Sequence, residues 1–246
     1  MLGVICKLDV EKVYDNVNWN FLMYLLKWCG FSKKWRRWIM WCISTIKFSI
    51  LINGTPIDFF GSTMGVCQGN SLSPLLFDVV MEVLSCLLDA TTMLEQFSGF
   101  SVGNLAGMLL TVSHLLFADE TLNFCDVDSH HLAALHGILA RFEVVSGLKI
   151  NFLKSELVPI GNVPNMMKLV EILGCQQSSL PLKYLGLPLD ASHKEETTWN
   201  PILEKMEHRL AGWKMLYLSK EGKVTLIKST LSYLFPFSPS YSSKGG

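Results

Sequence analysis

Apolar residues fall along this chain in two kinds of run: short dense ones, and longer ones with helical spacing. Val4-Ile5-Cys6-Lys7-Leu8 is the first of the short kind and predicts a buried strand ending at Asp9. Residues 16–29 place Val17, Phe21, Leu22, Leu25 and Leu26 at helical intervals and stop at Gly30, a residue suited to close a helix. A second helix is predicted over 32–44. There Trp35, Trp38 and Trp41 recur three apart, a spacing that predicts a packed face, beside a basic edge of Lys33, Lys34, Arg36 and Arg37. The alternative for these rings is a stacking surface for nucleic acid. Two apolar runs, 48–52 and 55–60, flank Asn53-Gly54, the strongest short-range signal for a hairpin.

Further along, Leu72 to Leu88 is apolar on most sides and predicts a mostly buried helix. Residues 111–117 and 121–125 predict two short strands around a tight turn, Ala118-Asp119-Glu120. A helix follows from Ser129 to Val145, capped by Asp128 or Ser129, with Gly147 just beyond it. Residues 184–189 predict a strand, and 197–213 and 219–234 two closing helices. Residues 236–246, rich in Pro, Ser and Gly, form a tail. The order of elements, without internal repeat, is that of an α+β domain.

Composition adds three limits. Of 246 residues, 50% are hydrophobic and 17% charged, which calls for a substantial core. The formal net charge of zero weighs against free-standing nucleic-acid binding, which rests on Lys and Arg neutralising phosphates. Any basic surface is therefore concentrated in one cleft or lies in a part of the protein outside this chain. The seven cysteines make no Cys-x2-Cys pair, so no zinc module is expected; scattered in apolar stretches, they read as reduced, buried thiols of an intracellular protein, nuclear or cytoplasmic. No secretory signal and no membrane span is evident. His130 and His131 have no partner at ligand spacing and read as solvated. A dinucleotide loop, a P-loop and a nucleophile elbow are all missing, which disfavours a small-molecule enzyme.

The chemistry begins with carboxylates at the ends of apolar strands. Asp9 closes the first strand, Asp119 sits at a hairpin tip, and Glu120 follows it. A carboxylate so placed is costly unless something positive meets it. Three such acids together repel one another, and Mg²⁺ is their natural partner: a hard ion that prefers carboxylate oxygens and keeps positions open for phosphates.

The sequence around these acids resembles the reverse transcriptases of non-LTR, LINE-type retroelements, most closely those of plants, over about residues 4–234. Lys7-Leu-Asp-Val-Glu-Lys-Val-Tyr-Asp15 is similar to their first palm motif and Gly65-Val-Cys-Gln-Gly-Asn-Ser-Leu-Ser-Pro74 to the second. Leu116-Phe-Ala-Asp-Glu120 resembles the F-A-D-D box, Gly147-Leu-Lys-Ile-Asn-Phe-Leu-Lys-Ser155 the fourth motif and Lys183-Tyr-Leu-Gly-Leu-Pro188 the fifth. The resemblance implies a polymerase palm, a ferredoxin-like antiparallel sheet with packed helices, over 1–190, and a partial helical thumb over 191–235. Most of the fingers would be missing.

It further implies RNA-directed DNA synthesis on an RNA template and DNA primer from dNTPs, with two Mg²⁺ ions, Mn²⁺ being a substitute. Asp9, Asp119, Glu120 and the carbonyl of Val10 would hold the metal. Tyr14 would lie beneath the nucleotide sugar and exclude a 2′-hydroxyl, and Gln68 and Gly69 would pack against the nascent base pair. Lys154 would protonate the departing pyrophosphate, and Tyr184, Leu185 and Gly186 would form the primer grip. Three features depart from the pattern: Glu120 replaces an Asp, Asn70 and Ser71 replace Asp and Pro, and the basic fingers that hold the triphosphate would lie upstream of Met1. They predict a weak or inactive polymerase, with a catalytically silent remnant, at most a binding module, as the alternative.

Overall fold

The computed structural model describes residues 2–103, 109–185 and 187–189, together with positions 200, 204, 219 and 224. Contacts divide the chain into two compact units, Met1–Leu182 and Lys183–Gly246. The elements run Gly3–Glu11 (β1), Trp19–Trp28 (α1), Lys33–Ser44 (α2), Lys47–Ile52 (β2), Thr55–Gly61 (β3) and Leu72–Met93 (α3). Then come Phe100–Gly103 (β4), Leu109–Val112 (β5), His114–Phe117 (β6), Glu120–Cys125 (β7) and Ser129–Ser146 (α4). Lys149–Ile150 (β8), Glu156–Ile160 (β9), Met166–Leu173 (α5), Gln176–Gln177 (β10), Leu182–Tyr184 (β11) and Leu187–Leu189 (β12) complete the series. The predicted helices over 197–213 and 219–234 and the tail lie outside the described residues, but for the four isolated positions.

A six-stranded sheet in the order β10-β9-β1-β7-β6, with β8 paired to the far end of β1, organises the first unit. All its ladders are antiparallel except β10 on β9. β1 is the central strand, and its alternation explains its place. Val4, Cys6, Leu8 and Val10 share one face and are buried in a continuous core with residues of α1, α3 and α4, among them Leu22, Phe77, Leu139 and Phe142. The strand does not stop at Asp9 but runs on to Glu11, because β8 takes up pairing there.

The helices begin and end where their caps stand. The Asn18 side chain accepts from the N–H groups of Asn20 (2.9 Å) and Phe21 (3.3 Å). Ser32 does the same for Trp35 (3.3 Å), and Asp128 for His130 (2.8 Å). At the end of α4, Gly147 takes a left-handed φ of 79° and donates to the Glu143 carbonyl.

Several expectations are corrected. Trp35, Trp38 and Trp41 are exposed rather than packed, because α2 buries the stripe Ile39 and Ile43, four apart, and turns the rings outward. The Trp35 and Trp38 rings meet at a tilt, 5.9 Å apart, with the Lys34 Nζ 4.9 Å from the Trp38 ring. The run 111–117 divides at Ser113, since β5 pairs with β4 whereas β6 pairs with β7. Residues 184–189 likewise form two strands, with Leu185 at a φ of 50° between them. Among the thiols, Cys29 and Cys86 are exposed; Cys6, Cys125 and Cys175 are buried. Burial pushes the Cys6 and Cys125 thiols far up and Cys175 to about 11, so all three stay protonated and unreactive at neutral pH. His131 is half-buried, not solvated, and its Nδ1 has no hydrogen-bond partner among the described residues.

Candidate active site

The register of β1 against β7 sets the acids' positions. Leu8 faces Thr121 and Asp9 faces Glu120. Phe117 pairs with Glu120, leaving Ala118 and Asp119 as a two-residue turn at the tip of the β6–β7 hairpin. Ala118 takes a φ of 50°, the backbone twist a tight hairpin turn requires at its first position. Glu120 thus belongs to the strand rather than to the turn.

The Asp9 N–H donates to the Ser155 Oγ (3.1 Å), and its carbonyl accepts from the Asn151 N–H (2.8 Å). Both backbone groups of Asp9 therefore point away from β7. The Asp9–Glu120 pair is thereby of the non-hydrogen-bonded kind, in which facing side chains stand closest. Like charges directly opposite are destabilising. A cation at this end of the sheet would offset that repulsion.

A cleft of about 330 Å³ opens beside the pair, lined by Val10, Lys12, Val13, Tyr14, Asp15, Gln68 and Asp119. Four expected site residues, Val10, Tyr14, Gln68 and Asp119, thus meet in one cavity; Asp9 and Glu120 adjoin Val10 and Asp119 in the chain and are not themselves part of the lining. The loop carrying Tyr14 is tied to the segment carrying Gln68 by backbone bonds. Val66 donates to the Tyr14 carbonyl (2.5 Å), and Gly65 donates to the Val17 carbonyl (2.8 Å). Gly65 has a φ of 81°, and a Cβ there would fall on the Asp15 carbonyl, so only glycine permits this approach. The Tyr14 ring leans on Phe77 of α3 at 5.5 Å. Asn70 still serves the start of α3, since its Oδ1 accepts from the Leu72 N–H (3.1 Å).

The remaining candidates lie elsewhere. Gly69 is exposed beside Gln68, with a φ of 91°. Lys154 is exposed in the turn after β8 and does not line the cleft. Tyr184 and Leu185 belong to the second unit, and Gly186 lies outside the described residues. Four polar residues to which the motifs gave no role also stand at the site: Lys12 and Asp15 in the cleft wall, and Asn151 and Ser155 on the Asp9 backbone. All four sit inside the quoted motifs, so proximity to Asp9 and to Lys154 was the available signal.

Among the described residues, no three His, Cys, Asp or Glu side chains are arranged to hold a metal ion by themselves. The acids fit Mg²⁺ in donor type. The shortage of protein ligands is compatible with an ion usually held by one or two carboxylates plus substrate phosphates. Among the described residues no helix is long and apolar enough to cross a membrane.

The Pol polyprotein of the type-1 retrotransposable element R2 from Nasonia vitripennis is 30% identical over 133 residues, 54% of this chain but 12% of that protein. A mitochondrial protein of Arabidopsis thaliana is 38% identical over 71 residues, 29% of this chain and 56% of that one. The chain therefore spans only part of each relative. Two telomerase structures share the fold. The Candida albicans enzyme, in complex with a fragment of telomeric RNA, has a TM-score of 0.53 and 13% identity over 95% of this chain and 40% of its own. The truncated Candida tropicalis enzyme has 0.50 and 15%, over 67% and 32%. The family described as reverse transcriptase (RNA-dependent DNA polymerase) matches residues 3–189. This family generally uses divalent metal ions. With its palm sheet, its acidic hairpin tip and a match over most of its length, the chain belongs to the reverse transcriptase family.

Proposed function

We propose that the cleft beside Asp119 supports RNA-directed DNA synthesis by two-metal nucleotidyl transfer, and that it does so slowly. The observation that carries this reading is the facing of Asp9 and Glu120 across β1 and β7, with Asp119 adjoining a cleft walled by Tyr14 and Gln68. Two Mg²⁺ ions, or Mn²⁺ in their place, would supply activation of the primer hydroxyl and neutralisation of charge on the phosphates. Asp9, Asp119, Glu120 and the Val10 carbonyl are the oxygens that would hold them. Tyr14 walls the cleft where a 2′-hydroxyl would project and so favours deoxynucleotides. Gln68 and Gly69 present an open backbone edge to the base pair. Lys154 is a cationic acid for the leaving pyrophosphate, and Tyr184, Leu185 and Gly186 hold the primer end.

The template is RNA and the primer DNA in this reading. Impairment follows from Glu120, one methylene longer than Asp, because Mg²⁺ tolerates displaced ligands poorly. Primer extension on a homopolymer RNA template with Mg²⁺ or Mn²⁺ tests the proposal. Incorporation by the wild type should fall roughly 10²–10³-fold in Asp119→Ala, the scale on which losing one preorganised electrostatic group acts. No incorporation by the wild type would leave a catalytically silent remnant, and equal incorporation by both proteins would overturn the role given to Asp119.

A further inference from the structure

The pairing of β1 changes partner at Asp9. On the side away from β7, Lys7 faces Glu156 of β9, whereas Val10 faces Ile150 of β8. Three steps along β1 are thus matched by six along the opposing segment, and the surplus forms the turn 151–155. Such an interruption would leave the backbone of Asp9 without ladder partners on that side. The turn fills the gap itself. Its Asn151 N–H donates to the Asp9 carbonyl (2.8 Å), and its Ser155 Oγ accepts from the Asp9 N–H (3.1 Å).

Ser155 is fully buried, and its hydroxyl also donates to the Asn151 carbonyl (2.9 Å), which ties both ends of the turn together. Asn151 reaches further along β1, its Nδ2 donating to the Glu11 Oε1 (2.8 Å). Two side chains of one turn thereby hold β1 on both sides of Val10, at the residue facing Glu120.

We propose that Ser155 and Asn151 are positioning residues that fix the Asp9 backbone so that its carboxylate meets the metal at the β1–β7 end. This inference rests on the reading of Asp9 as a metal-holding residue. A carboxylate on a frayed strand would sample many orientations, whereas metal affinity needs its orientation set in advance by surrounding hydrogen bonds. Ser155 replaces a ladder acceptor with a hydroxyl, and no other described side chain bonds to the Asp9 N–H.

Mn²⁺ binding to the full chain, followed by loss of the free-ion electron paramagnetic resonance signal, tests this without reference to activity. Asp9→Ala should weaken binding most. Ser155→Ala should weaken it several-fold, with the circular dichroism spectrum unchanged and the Asp9 amide exchanging faster than the other amides of β1. If Ser155→Ala does not fold, Ser155→Cys, which keeps the volume but accepts weakly, carries the same expectation. Weaker binding in Asp9→Ala with wild-type affinity in the folded Ser155 variant would overturn the positioning role alone. Wild-type affinity in Asp9→Ala, or no binding by the wild type, would overturn the metal reading and this inference with it.

Discussion

β1 and the β2–β3 hairpin are both built from strongly apolar sequence, yet they end in opposite environments. Val4, Cys6 and Leu8 are buried to within 1%, while Phe59 is 69% and Leu51 68% exposed. β1 has a strand on each side and a layer of helices over one face, whereas β2 and β3 pair only with each other. Every residue of β3 is exposed, and of β2 only Ser49 is not. Alternation decides which residues of a strand share a face; coverage of that face depends on what packs there, which the period does not contain.

The largest test of this contrast is a pair of truncations. Phe142→Ala, in the helix layer over β1, should cost about 3–5 kcal/mol, the loss expected for emptying a fully buried aromatic site. Phe59→Ser, in the hairpin, should change stability by no more than about 0.5 kcal/mol. It should instead improve solubility, since a long exposed apolar hairpin is an aggregation template. Chemical denaturation of both variants checks the first claim. A Phe59→Ser cost near that of Phe142→Ala would show the hairpin to be covered and the contrast to be false.

The centre of the sheet carries its own flaw, and correcting it sharpens the comparison. Thr121 and Asn123 face Leu8 and Cys6 across the β1–β7 ladder and are fully buried. The Thr121 hydroxyl and both polar atoms of the Asn123 amide have no hydrogen-bond partner among the described residues. Each group left so costs about 1–3 kcal/mol. Asn123→Val should therefore raise stability by about 1–3 kcal/mol, seen as a higher denaturant midpoint at unchanged slope. A lower midpoint would mean that the amide is satisfied by water, and that the core is less dry than its burial implies.

The contrast also explains what could be read from the sequence. The start of the first strand, the helix capped by Asp128, the Asn53-Gly54 hairpin and the tip at Asp119 all rest on local chemistry, and they stand where expected, whereas β1 runs two residues past Asp9. The exposure of Trp35, Trp38 and Trp41 was not legible, because two stripes on α2 satisfy helical spacing and only tertiary packing selects Ile39 and Ile43. The split at Ser113 was hidden for a similar reason: an unbroken apolar run does not reveal that its halves pair with different strands. At the site, the motifs named the acids and Tyr14. The roles of Asn151 and Ser155 arise from a register change between β8 and β9, and register is a property of two strands together.

His114, on the edge strand β6, gives the smallest and most graded test, because it stands between the dry centre and the wet periphery. Its Nε2 lies 2.8 Å from the Ser85 Oγ and its Nδ1 2.9 Å from the Ser113 Oγ, partners that suit a neutral ring donating from one nitrogen and accepting at the other. Burial lowers its pKa below the ordinary value; Asp89, 3.9 Å from Nδ1, and Glu82 oppose the shift without cancelling it. The unfolded chain therefore takes up this proton more readily than the folded one. Stability linked to His114 is complete above the ordinary histidine range and is lost as pH falls through it. Between roughly pH 7.5 and 5.5, which brackets the ordinary value of about 6.5, the thermal midpoint of the wild type should fall more than that of His114→Gln. Asp89→Asn removes the main opposing attraction and should steepen the fall. Parallel slopes in wild type and His114→Gln would mean that the edge is already open to water, and that the dryness of the sheet ends at β7.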